Sequence, residues 1–359
     1  MKQITLIFTI IMSISIAHAA IITVDNKTPS VGQFKTLQEA HDAANDGDTI
    51  YVYPTEAVYS AISVAKKLKL IGTGSSRPGE SLSTTSISGT ILFEEGSALS
   101  VLEGFSGSFN VTFNESNITI QKNKINYITV NADDIIIKRN RIRRIAINEN
   151  HKGTVILQNY VYDNSGNYLI TIENNNEILI SNNLLWNMYD QHNSPNWSSS
   201  SCYGKGIKAD FSNITLTIIY NIISTAFSRD NHGRALNISN ANIYVANNII
   251  LSGSVYKTSN NFYNNMSNST QFPSGNGNLR NIDMSKVFVD PSNDFHLLED
   301  SPAKGAGTDG VDMGIYGGST PYLDDGKPSL PSIVKLKADH SASQANGLEI
   351  EIQAVSNSE

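Results

Sequence analysis

Five stretches of this chain read as one sentence. "ITIQKNKI" (118–125), "IIIKRNRI" (135–142), "ILISNNLL" (178–185), "LTIIYNII" (216–223) and "IYVANNII" (243–250) share a single pattern. Each carries two apolar residues two apart, an asparagine three positions later, and an apolar residue two beyond that. "VILQNYV" reads as a copy one residue short, with Val155, Leu157, Asn159 and Val161, and "VYKTSNNF" as a degraded last copy with Asn260 and Phe262. Apolar residues two apart point to one side of a strand. An asparagine tolerates a bend and brings its own hydrogen-bonding groups to it.

The asparagines 123, 140, 159, 183, 221 and 248 follow one another at 17, 19, 24, 38 and 27 residues. The short intervals leave no room for a strand–helix–strand crossover, and the long ones hold insertions. A strand can then meet its own copy only one coil later, which makes the chain a solenoid. Second strands fit between the copies at "YITV" (127–130), "RRIAI" (143–147), "YLITI" (168–172), "GIKAD" (206–210) and "RALNI" (234–238). Short strands stacked coil on coil form an all-β parallel β-helix. Asn123, Asn140, Asn159, Asn183, Asn221 and Asn248 are expected to turn inward at one corner and bond as an amide ladder.

The ends differ from the middle. Residues 1–19 carry Lys2, an apolar run and Ala17-His18-Ala19, the pattern of a secretory signal peptide. The chain is therefore expected outside the cytoplasm, secreted or in the cell envelope or periplasm, with no transmembrane segment. Loss of Lys2 takes the formal charge from −7 to −8, which gives no attraction to nucleic acid. Cys202 is the only cysteine, so no intrachain disulfide can form. "FKTLQEAHDAA" spaces Phe34, Leu37, Ala40 and Ala43–Ala44 as an amphipathic helix able to cover the first coil. Beyond 326, "SIVKLKADH" and "LEIEIQAVS" alternate as the two arms of a hairpin, so 20–326 is the β-helix and 327–359 a tail.

"FKTLQEAHDAANDGDTIYVYP" followed by "KLKLIGTG" resembles the N-terminal cap and first coils of the right-handed parallel β-helix proteins, the pectate-lyase-like superfamily. "DFHLLEDSPAKGAGTDGVDMGIYGG" (294–318) resembles the closing segment of secreted bacterial members. The resemblance covers residues 20–326 and implies the fold. The superfamily holds lyases, hydrolases, phage spikes and proteins without known catalysis, so it implies no single activity. Its glycan-cleaving members place their site on the outer face of a strand stack, walled by inserted loops.

The largest insertion here, 186–206, holds Trp186, Tyr189, Trp197 and Tyr203, candidate walls for a sugar. Strand parity puts Thr129, Ala146, Thr171, Lys208 and Asn237 in one outward row, and Asn131, Asn148, Glu173, Asp210 and Ser239 in the next. Asp230, His232 and Arg234 follow one coil on. β-Elimination of an acidic polysaccharide would use Lys208 or Arg234 as base, with His232 and Asp210 beside it. Glu173, Asp210 and Asp230 are then candidate Ca2+ ligands. Hydrolysis would instead use a pair of those carboxylates. A non-catalytic adhesive rod that binds carbohydrate needs neither chemistry, and Lys208–Asp210 then is an ordinary surface pair. The run Lys138, Arg139, Arg141, Arg143 and Arg144, with Lys122 and Lys124 one coil earlier, is either a solvated stripe or a landing surface for an anionic glycan.

Overall fold

The structure, a computed structural model, describes residues 19–74, 84–174, 176–187, 203–210, 213–225, 233–239, 242–257, 261–323, 332–338 and 350–355. The leader-like residues 1–18, Cys202 and Asn260 lie outside these. Among the described residues no helix is long and apolar enough to cross a membrane.

The motif copies stack as their spacing requires. Their first halves are strands Thr119–Gln121, Ile136–Lys138, Thr154–Leu157, Glu177–Ser181, Thr215–Ile219 and Asn242–Ala246, each parallel to the next. They belong to a sheet with eleven strands among the described residues. Ile120, Ile137, Ile156, Ile180, Ile218, Val245 and Phe262 form one file in register. All seven are fully buried. Each such side chain contributes about 1.5–3 kcal/mol by leaving water, and the stacking makes neighbouring coils cooperative. The copy at 154–161 is not short: Thr154 and Ile156 pair with Ile178 and Ile180, so Val155 and Leu157 face outward. A threonine in the first apolar position had hidden the register.

The second sheet forks. Strands Thr85–Phe93, Phe105–Phe113, Lys124–Val130 and Arg141–Ile147 each run unbroken across a face. From Arg141–Ile147 onward each coil divides its strand in two. One branch is Tyr160–Asp163, Leu184–Asn187, Ile222–Thr225, Ile249–Ser252 and Met266–Ser267. The other is Tyr168–Ile172, Lys205–Ala209, Arg234–Ile238 and Ser254–Lys257. The fold is a parallel β-helix with two strands per coil between Lys69 and Ile147 and three per coil after that.

At the corner, each ladder oxygen accepts from the coil before. Asn123 N–H donates to Asn140 Oδ1 at 3.0 Å, and Asn159 N–H to Asn183 Oδ1 at 2.8 Å. The amide of Asn183 also donates to the Ile156 and Ser181 carbonyls at 2.8 and 2.9 Å. The column runs past Asn248 to Asn265 and Asn278. The last copy is therefore read around Asn265, with Phe262 opposite Val245, and not around Asn260. The bend itself is made one residue earlier. Lys122, Arg139, Gln158, Asn182, Tyr220, Asn247 and Asn264 all have positive φ, from +49° to +60°. A left-handed residue aims its N–H along the stack, as Arg139 N–H does toward the Leu157 carbonyl at 3.1 Å. That bond offsets a conformational cost of about 1–2 kcal/mol.

The N-terminal end is closed by a helix, as the sequence implied. Helix Leu37–Ala43 begins with a capping box between Thr36 and Glu39 and buries Leu37 and Ala40 against the first strands. Lys66 Nζ donates to the carbonyls of His41, Asp42 and Ala44 at the helix's other end. Residues 279–323 form a strap folded back over the Leu184, Ile222, Ile249 and Met266 side of the forked sheet. Strands Ser332–Ala338 and Ile350–Val355 form the antiparallel hairpin of the tail.

Candidate functional site

The strap leaves the other branch of the fork open, and a groove lies there. Its floor is the row Thr129, Ala146 and Thr171, one small residue per coil, ending at Lys208. Register bears out the row expected from parity from Thr129 to Lys208, while Asn237, in line with Lys208, is buried. Three steps between coils make the floor roughly 14 Å long. Tyr127 and Arg144, and on the following coils Gly166, Asn167, Tyr168 and Lys205, rise along the flank that precedes the floor residues in each strand, bounding about 490 Å3. Small side chains on the floor and large ones beside it create the depression.

The rim is cationic and aromatic. The Arg144 guanidinium lies 4.4 Å from the centre of the Tyr127 ring, and Lys205 Nζ lies 5.5 Å from that of Tyr168. Asp163 stands beneath Arg143 and Arg144, at 2.8 and 3.5 Å. Burial alone would raise the Asp163 carboxyl, but hydrogen bonds from Ser165, Arg143 and the Asn164 amide outweigh it, so it lies below the usual carboxylate range. The same bond raises Arg143. Both therefore stay charged across the ordinary pH range.

Lys208 reaches Asp210 Oδ1 at 3.4 Å, and the Asn237 amide donates to Asp210 Oδ2 at 3.2 Å. Lys208 and Asp210 are 28% and 29% exposed, so the pair adds little to stability. Glu173 continues the ladder with its N–H on the Ile147 carbonyl, which places it one coil from Asp210 in the same row. Arg234 is not at this spot. It pairs in register with Lys205 and lies 5.6 Å over the Tyr256 ring, outside the groove lining. Asp230 and His232 lie outside the described residues. Of the candidate calcium ligands, Glu173 and Asp210 share one outer row, and Asp210 also faces Lys208 and Asn237. Among the described residues no group of three or more acidic, histidine or cysteine side chains forms a metal cluster.

The expected aromatic wall is placed differently. Trp186 packs edge-on against Phe295 of the strap, with ring centroids 5.5 Å apart, and Tyr203 is buried. Neither offers a ring face to the groove; Tyr189 and Trp197 lie outside the described residues. The basic run is no single stripe either, because the corner at Asn140 distributes it around the coil. Lys122 is buried against Glu103 at 3.7 Å, and Arg139 donates to Gln158 at 2.9 Å. Arg141 covers Tyr160 and Tyr162 at 5.3 and 5.9 Å. Of the run, only Arg144 lines the groove. Tyr127, Tyr168 and Lys205 had not been singled out. Their signal was the row of Thr129, Ala146 and Thr171, whose smallness marks a floor.

No protein-family model and no curated protein matches this chain. Among solved structures, pectate lyase Pel9A is similar, with a TM-score of 0.48 and 14% identity over 84% of this chain and 96% of that one. The parallel β-helix itself stands on the strand register described above.

Proposed function

We propose that the groove binds an acidic polysaccharide outside the cell. The observation that carries this is the setting of Arg144, Lys205 and Lys208 around a floor of small side chains, with Tyr127 and Tyr168 among them. A guanidinium pairs in a forked geometry with a carboxylate, and tyrosine rings offer apolar faces to a sugar. The leader-like residues 1–19 support the extracellular setting.

A second reading is β-elimination, favoured by the presence of Lys208 in the groove. Its amine would take the proton at C5 of a uronate while Arg144 neutralises the sugar carboxylate. The C4–O bond would break and a C4–C5 double bond form, the departing oxygen taking a proton from water. Lys208 would have to act as a neutral amine with Asp210 only 3.4 Å away. Binding without cleavage is the reading the geometry carries further.

Both are tested by titrating the protein with uronate polymers, with and without Ca2+, while following ultraviolet absorbance and reducing ends. Saturable binding that weakens with salt is expected. Binding with a flat trace removes elimination and hydrolysis together, and absence of binding across the panel removes the whole proposal.

A further inference from the structure

We propose that Asp163 is the positioning residue of the groove, a buried carboxylate that fixes Arg144 and the 164–168 loop relative to each other along the rim. This rests on the groove being the binding site. Asp163 ends the strand Tyr160–Asp163, at the point where the two branches of the coil part. Its side chain is 1% exposed. On one side it takes Arg143 Nη2 at 2.8 Å and stands 3.5 Å from Arg144 Nε, while both guanidinium groups also lie over the Tyr127 ring. Arg144 and Tyr127 form the rim on this coil and the one before it.

On the other side Asp163 accepts from the Asn164 N–H at 2.9 Å and from Ser165 Oγ at 2.6 Å. These residues begin the loop whose Gly166 and Asn167 continue the rim on the next coil. One coil later, Asn187 pairs in register with Asp163 and donates to the Asn167 and Lys205 carbonyls at 2.9 and 3.2 Å. A carboxylate offers about four lone-pair positions, and here they are divided between the Arg143 guanidinium and the start of the loop. Leaving such a group buried without partners would be costly, so the arrangement is held as a unit. None of these contacts lets Asp163 touch a ligand itself.

The experiment uses the full chain and polygalacturonate as probe. D163N keeps the shape and removes the charge. Its affinity is expected to fall about tenfold with the salt dependence as steep as in the parent, since every groove cation remains. R144A is expected to lower both. In ligand-free D163N, amide exchange over residues 164–168 is expected to rise at least tenfold. Should D163N not fold, S165A, which removes one loop bond, is expected to show smaller shifts in the same directions. Parent-like affinity and parent-like exchange in the folded variants overturn the proposal. If the parent itself ignores polygalacturonate, the binding reading fails, while exchange at 164–168 still decides whether Asp163 holds the loop.

Discussion

Asn182 and Asn183 are adjacent in sequence and bond in opposite directions. Asn183 turns inward, giving its backbone N–H to Asn221 Oδ1 at 2.9 Å. Asn182, at φ +53°, turns outward and donates to the Ile315 and Gly317 carbonyls of the strap, both at 2.9 Å. The same division recurs at Asn247–Asn248 and Asn264–Asn265, where the first residue meets Thr308 or Ala306. A doublet that looks redundant thus encodes two layers, one column inside and one row of clamps outside.

Asn183→Ala strands the Asn159 amide and several buried carbonyls. At about 1–3 kcal/mol for each lost partner, a total near 3 kcal/mol is expected from urea melts. Asn182→Gly keeps the left-handed backbone and removes only the clamp. It is expected to cost about 1 kcal/mol and to speed protease cleavage within 305–323. Equal losses in the two variants would contradict the division of labour.

Trp186 and Arg144 should separate stability from binding. Trp186→Ala opens a hole beneath the strap, with an expected cost of about 3–5 kcal/mol, and leaves polyuronate affinity unchanged at temperatures where it is folded. Arg144→Ala is expected to do the reverse. Calorimetric melting and binding titrations on both proteins check the pair.

Ala146 is the narrowest test of the groove. Ala146→Trp fills the floor between Thr129 and Thr171 without entering the core. Stability should change by about 0.5 kcal/mol or less, while binding is lost. Unchanged affinity would move the ligand to another face.

Asp163 also predicts a pH window. The charged groups facing it are Arg143 and Arg144 from the preceding coil; the next coil offers neutral Asn187. A carboxyl held below its unfolded value of about 3.9 adds stability above that pH and loses it as pH falls through the folded value. The stability gap between parent and D163N is therefore expected to be constant from pH 7 to about 5 and to close below about 4. Urea melts across that range measure it, and a gap undiminished at the acid end would count against the assignment.

The fold was legible because a solenoid repeats its instructions. Ile120, Asn123 and Ile125 say what Ile137, Asn140 and Ile142 say again, and the structure stacks them in that register. Strand parity likewise placed Lys208 and Asp210 on the outer face. Positions whose roles depend on what lies across them were harder. Trp186 looked like a sugar platform until the strap, more than ninety residues on, was seen to cover it. Lys122 looked solvated because its partner Glu103 lies in a different coil. The bend was credited to asparagine, whereas the residue before it bends and can be Lys, Arg, Gln or Tyr. Backbone geometry there is fixed by bonds between coils and leaves little mark on residue type.

The oxygens of the amide column all face the same end of the rod, from Asn140 through Asn278. Any whole turn carrying its own corner amide can therefore be spliced in or removed, and the junction heals with the same bonds. Length in this protein is therefore a quantity counted in integers.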